Sequence, residues 1–142
     1  MSEAAGLVFL IGRILFTAFY LFSALGHLTQ GAMLVGYARS KGMPLPGLAG
    51  WPAGVYLLVT SLSVILGVWP DIGALLMGLW TIPTALIFHN FWAVKDPQER
   101  LTQQFNFFRN VTFLGGALAL FAVFAGLGPG VRSTLTAPLL RF

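Results

Sequence analysis

Two histidines are the side chains in this 142-residue sequence best suited to chemistry. His27 closes the apolar stretch Gly12–His27 (GRILFTAFYLFSALGH), and His89 lies near the end of a second stretch that runs to Trp92. An imidazole can exchange a proton near neutral pH, form hydrogen bonds or ligate a metal. Asn90, Asn106, Arg109 and Asn110 likewise sit where apolar stretches begin or end, with Tyr37 and Arg39 in the connection after His27. Guanidinium groups pair with anions and amides both donate and accept. Together they suit a small anion or a quinone headgroup. Two imidazoles at one level also permit bis-histidine haem ligation, which has no other support here. The plain alternative is interfacial anchoring, since His, Asn and Arg are common where a membrane meets water. With no cysteine, the chain offers no disulfide, thiolate metal ligand, iron–sulfur cluster or dithiol cycle. No metal site is expected.

Whether these groups meet depends on the helices that carry them. The chain is 57% hydrophobic and only 8% charged, with a mean hydropathy of +0.84. Soluble domains carry about 25% charged residues, so the reading is an integral membrane protein of one domain, 1–142. The net charge of +4 includes no basic run suited to nucleic acid. About 20 apolar residues make a crossing, and four segments qualify, near 5–26, 51–68, 72–92 and 106–125. They predict an all-α, four-helix membrane bundle. Ala24-Leu25-Gly26 has the form of a signal cleavage site, but Met1-Ser2-Glu3 lacks the basic start of a signal peptide, so the first helix is read as retained.

In the first span, Arg13, Thr17, Tyr20, Ala24 and His27 share one helical face. Such a stripe should face protein or water rather than lipid. Leu28–Arg39 is read as a short interfacial helix, ended by Gly42, Pro44 and Pro46. Tyr56, Thr60, Ser63 and Gly67 share a face of the second span, suited to close helix packing. Asp71 is expected to cap the third span, and Pro83 to kink it by freeing a carbonyl near Leu79. Asp96, Pro97 and Glu99 have the spacing of a capping box, opening a helix that continues into the last span. The tail Val131–Phe142 is too short to cross.

The two long connections fall on one side with Arg39, Lys41, Lys95, Arg100 and Arg109, against Arg13, Arg132 and Arg141 toward the other. The positive-inside bias places those connections in the cytoplasm and both termini outside. His27 and His89 then lie at the same membrane edge. Arg13 lies toward the opposite edge, where Asp71 is the acid expected to pair with it in a structural ion pair. No span contains a mid-membrane Asp or Glu of the kind cation-coupled transporters use, which leaves a small oligomeric channel or transporter as a lesser reading.

The runs GRILFTAFYLFSALGHL, GMPLP, LLVTSLSVILGVWPDIGALL and FHNFWAVKDPQERLTQQFNFFRNVTFLGGAL together resemble the DoxX family of small four-helix membrane proteins, closest to its DoxX-like branch. The resemblance extends from about Leu10 to Leu120. Where typical members carry a glutamate early in the second helix, this chain reads Tyr56-Leu57. The family is named for a membrane subunit tied to thiosulfate:quinone oxidoreduction and a terminal oxidase. The resemblance therefore implies a non-catalytic subunit of a bacterial inner-membrane redox assembly, with protein partners, possible self-association and quinone as the candidate ligand. It marks Arg13, His89, Asn90 and Asn110 as matching positions without giving them a catalytic role. A stand-alone quinone or haem protein using the two histidines is the alternative.

Overall fold

Proline and glycine divide the apolar sequence into helices. The computed structural model covers residues 1–142 and contains no strand. Helix α1 spans Glu3–Thr29, and the Ser2 hydroxyl accepts from the Ala5 N–H at its start. The short α2, Gly31–Ser40, follows almost at once. Gly42, at φ +73°, ends that segment, and Pro46 opens a single 3-10 turn to Ala49. Helix α3, Trp51–Leu66, has Pro52 in its first turn, where a missing N–H breaks no helical bond. Gly67 stops it in the left-handed region at φ +69°.

Helix α4 spans Pro70–Pro83. Trp69, at φ +45°, occupies the cap position and Pro70 the first helical one, so Asp71 does not cap this helix as expected. At Pro83 the bonding pattern changes, and residues Thr84–Phe88 form a π-turn that ends at His89. Proline has no N–H to continue the α ladder, and the kink expected in this segment takes that form. Helix α5 runs unbroken over Pro97–Leu127, with Asp96 Oδ1 accepting from the Glu99 N–H at 2.8 Å. At 1.5 Å per residue α5 is about 46 Å long, well beyond a hydrocarbon core of about 30 Å.

Three segments, Glu3–Thr29, Pro70–Ala93 and Pro97–Gly130, are long and apolar enough to cross a membrane, and α3 is a shorter apolar helix. Helices α1, α3, α4 and α5 make a four-helix bundle in which α1 packs on α3, α3 on α4 and α4 on α5. Small residues set the spacing. A Cβ on Gly54 would lie 2.6 Å from Leu28 Cγ, and one on Gly73 would collide with Ser63 Oγ. The hydroxyl face expected on the second span performs this packing: Tyr56 donates to the Leu76 carbonyl at 2.7 Å, and Thr60 is buried. Leu57, Val64, Met77 and Phe124 fill the core, while Leu7, Val8, Leu15, Phe22 and Leu25 of α1 point outward. Apolar surface of that extent is stable in lipid and not in water. The chain is a helical membrane protein.

The polar stripe of α1 is buried as expected: Arg13, Thr17, Tyr20 and Ala24 are each at most 2% exposed. The expected Arg13–Asp71 ion pair is not formed. Both residues are fully buried, and each holds residues 131–142, which fold back across that end of the bundle as a strap. Arg13 Nη2 donates to the Ser133 carbonyl at 2.7 Å, and its guanidinium lies 5.6 and 5.7 Å from the rings of Phe9 and Phe124. Asp71 Oδ2 accepts the N–H groups of Leu139 and Leu140 at 3.0 and 2.7 Å. The strap also reaches the α3–α4 turn, where Leu135 and Thr136 donate to the Gly67 carbonyl and Trp69 N–H donates to Thr136 Oγ1. Oδ2 of the buried carboxylate thus satisfies two strap N–H groups that would otherwise be unpaired, while Asp71 Oδ1 and Arg13 Nε and Nη1 have no hydrogen-bond partner in the protein.

Candidate functional site

At the opposite end from the strap, a cavity of about 420 Å³ lies among α1, α4, α5, α2 and the loop that follows α2. That is within the range of small-molecule sites and far above the share of one water. Its wall from α1 is Phe19, Tyr20, Ser23 and His27, and its wall from α5 is Arg109, Asn110 and Phe113. Trp80, Pro83, Thr84, Phe88 and His89 close the side contributed by α4 and its π-turn. Leu34, Tyr37, Met43, Leu48 and Ala49 form the remaining wall, and the cavity stays partly open to its surroundings. The break at Pro83 matters here, because the π-turn carries Phe88 and His89 onto the cavity wall.

Each histidine is held by its Nδ1. In His27 that atom lies 2.6 Å from the carbonyl of Ala49, and the ring stands edge-on to Trp80 at 5.9 Å. A carbonyl only accepts, so Nδ1 carries the proton, and in the neutral ring Nε2 is the free acceptor. His89 Nδ1 lies 2.9 Å from Gln103 Oε1, on the second turn of α5. Asn110, 7% exposed, donates through Nδ2 to the Asn106 carbonyl at 2.9 Å, which leaves its Oδ1 to accept. The Arg109 guanidinium stands 5.2 Å above the Phe19 ring. The remaining walls are largely apolar and aromatic.

Five of the eight residues expected to form a polar site line this one cavity: His27, His89, Arg109, Asn110 and Tyr37. The other three do not. Arg39 is exposed on α2, two positions from Tyr37 and so on a different helical face. Asn90 is the residue that precedes the 3-10 turn Phe91–Ala93. Asn106 contributes its backbone carbonyl to Asn110. Sequence reasoning missed Gln103, although 103, 106 and 110 share a face of α5. It also missed the aromatic walls Phe19, Trp80 and Phe113, which composition alone does not separate from core.

The arrangement suits a flat, largely apolar group with oxygen atoms at its edge. The ring faces supply stacking surface, and His27, His89, Arg109 and Asn110 supply donors and acceptors. No acid lines the cavity, so it offers no countercharge to a cationic ligand.

The sequence model of the DoxX family matches residues 8–90, more than half of the chain. The chain is also 28% identical over 132 residues to the inner membrane protein YphA of Escherichia coli (strain K12), covering 93% of this chain and 91% of that one. No solved structure matches the chain.

Proposed function

The chain belongs to the DoxX family, and from that premise we propose that it is an accessory or anchoring subunit of a bacterial inner-membrane redox assembly, holding a quinone headgroup in the two-histidine cavity. The convergence of His27, His89, Arg109 and Asn110 on one aromatic-walled cavity carries the reading. A quinone ring is flat and apolar on its faces, with carbonyl oxygens that accept from imidazole or guanidinium groups and, once reduced, donate to an imidazole nitrogen. A small inorganic anion fits less well, because the one charged group on the walls, Arg109, is exposed and turned over Phe19. The E. coli relative is described as an inner membrane protein, which supports that location. Four crossings follow from the three long apolar segments together with the shorter α3, and the basic residues of the two long connections put those connections in the cytoplasm.

A tagged chain purified from its host in mild detergent tests both halves of this reading. A dehydrogenase, oxidase or sulfur-handling enzyme at fixed stoichiometry, together with extractable quinone, is the expected result. Recovery of the chain alone, with no quinone in the organic extract, overturns it.

A further inference from the structure

The cavity is walled by packed helices on most sides, but α1 and α5 face each other differently. The pairs α1–α3, α3–α4 and α4–α5 approach closely through their backbones, whereas α1 and α5 meet almost wholly through aromatic side chains. Toward the strap this seam is shut. A Cβ on Gly116 would come 2.6 Å from Phe16 Cε2, so the Phe16 ring lies directly on the α5 backbone. Phe9 meets Phe124 edge to face at 5.3 Å. Toward the cavity the seam is bridged by side chains alone. Phe19 stacks on Phe113 at 4.6 Å and 30°, and Arg109 covers the Phe19 ring. All three line the cavity, and Phe19 is 39% exposed on what is otherwise the lipid-facing surface of α1. On the α2 side, Tyr37 stacks on Phe88 at 5.7 Å, with the Lys41 ammonium 5.5 Å from the Tyr37 ring.

A second observation concerns Tyr20, which also lines the cavity. It is 2% exposed, and its hydroxyl has no hydrogen-bond partner in the protein. A buried hydroxyl in an apolar setting is costly to leave unpaired, whereas neighbouring hydroxyls such as Thr17 and Thr84 are satisfied by their own helices. Tyr20 sits seven residues before His27, about 10 Å along the axis and deeper in the bundle. Tyr20 and His27 therefore mark two levels of the cavity wall.

We infer that the cavity receives its ligand sideways from the bilayer, through the α1–α5 seam that Phe19 and Arg109 close, and that this ligand is a lipid-soluble amphiphile with a flat oxygen-bearing head. An oxygen of the head pairs with the Tyr20 hydroxyl, and the tail leaves past Phe19 into the acyl chains. Phe19 and Phe113 need only rotamer changes to open the way, and Arg109 swings out to the headgroups with its apolar stem still in contact. The assignment rests on reading the cavity as a ligand site, and the test separates the two.

The absence of cysteine allows a clean probe. Thr84→Cys places one thiol on the cavity wall of the full chain in liposomes. Pyrene maleimide dissolved in the bilayer is expected to label it faster than a charged, membrane-impermeant methanethiosulfonate added to the water. Adding Phe19→Ala should raise the lipid-side rate several-fold, and Phe19→Trp should lower it. Faster labelling from water, or a rate indifferent to Phe19 and raised by Tyr37→Ala, overturns the lateral route. Shielding of the thiol by decyl-ubiquinone, weakened by Tyr20→Phe, supports the route and the ligand together. Phe19-dependent labelling from lipid with no shielding by the quinone retains the route and removes the quinone reading. Shielding untouched by Tyr20→Phe overturns the role given to Tyr20.

Discussion

The Nδ1 of His27 and the carbonyl of Ala49 stand 2.6 Å apart, joining the last turn of α1 to a loop 22 residues later in the chain. This bond fixes the tautomer of the histidine and brings Ala49 against the cavity at the same time. Ala49 is 5% exposed, so removal of the imidazole strands a buried carbonyl. His27→Phe should therefore lower stability by about 1–3 kcal/mol, and a thermal scan in detergent will show it as a fall in Tm. His27→Asn, which can still donate, should recover part of the loss. Equal Tm values for the Phe and Asn variants would show that the bond contributes nothing.

Gln103 offers a way to disturb the site with little effect on the fold. It is half-buried near the start of α5, and it bonds only His89 through its side-chain oxygen. Outer partners of metal-ligating histidines typically change affinity by about 10–100-fold when removed, and Gln103 holds the His89 ring in the same manner. Gln103→Leu should therefore weaken quinone retention while leaving stability within about 0.5 kcal/mol of the parent. Gln103→Glu, which keeps an acceptor for Nδ1–H, should retain binding. Titration with a short-chain quinone, followed by quenching of tryptophan fluorescence including Trp80, provides the measurement.

The strap makes Arg13 and Asp71 partners without contact. Asp71→Ala leaves the Leu139 and Leu140 N–H groups unpaired, and Arg13→Met leaves the Ser133 carbonyl unpaired. Hydrogen bonds to charged groups contribute about 1.5–3 kcal/mol each. Once either change frees the strap, the other has less left to break, so the double variant should cost less than the sum of the singles. Strict additivity in a double-mutant cycle would show that the two ions act independently.

Gly67 is required twice over. Its φ of +69° strains any L side chain, and an added Cβ would lie 2.5 Å from the Thr134 Cα of the strap. Gly67→Ala should lower stability by more than the 1–2 kcal/mol expected of the left-handed conformation alone, because the strap has to move as well. Partial proteolysis near residues 131–142 should become faster in that variant. Gly12→Ala, where an added Cβ meets nothing within 4 Å, is the control.

Some of this molecule was legible in its residues and some was not, for definite reasons. The buried face of α1 could be read because Arg13, Thr17, Tyr20 and Ala24 fall on one stripe, and Asp96 announced α5 through side-chain capping. The convergence of His27 and His89 followed from the direction of the helices that carry them. Arg39 lies off the cavity, and its spacing from Tyr37 already placed it on another face. Asp71 was misread because an acid beside a helix start resembles a cap, while Pro70 and the left-handed Trp69 had taken that position. The strap was invisible for a deeper reason. It is held mainly by backbone N–H and C=O groups, which every residue has, so no side-chain period records it.

The strap also has a consequence for biosynthesis. Residues 131–142 leave the ribosome after every helix of the bundle, yet they carry the hydrogen-bond partners of Arg13 and Asp71. Throughout insertion, α1 holds a guanidinium and α4 a carboxylate without these partners, and a charge in hydrocarbon is costly. Until the strap arrives, those two groups keep their end of the helices drawn toward water. Its arrival removes that pull, so assembly of this membrane protein is completed by a segment that never enters the membrane as a helix.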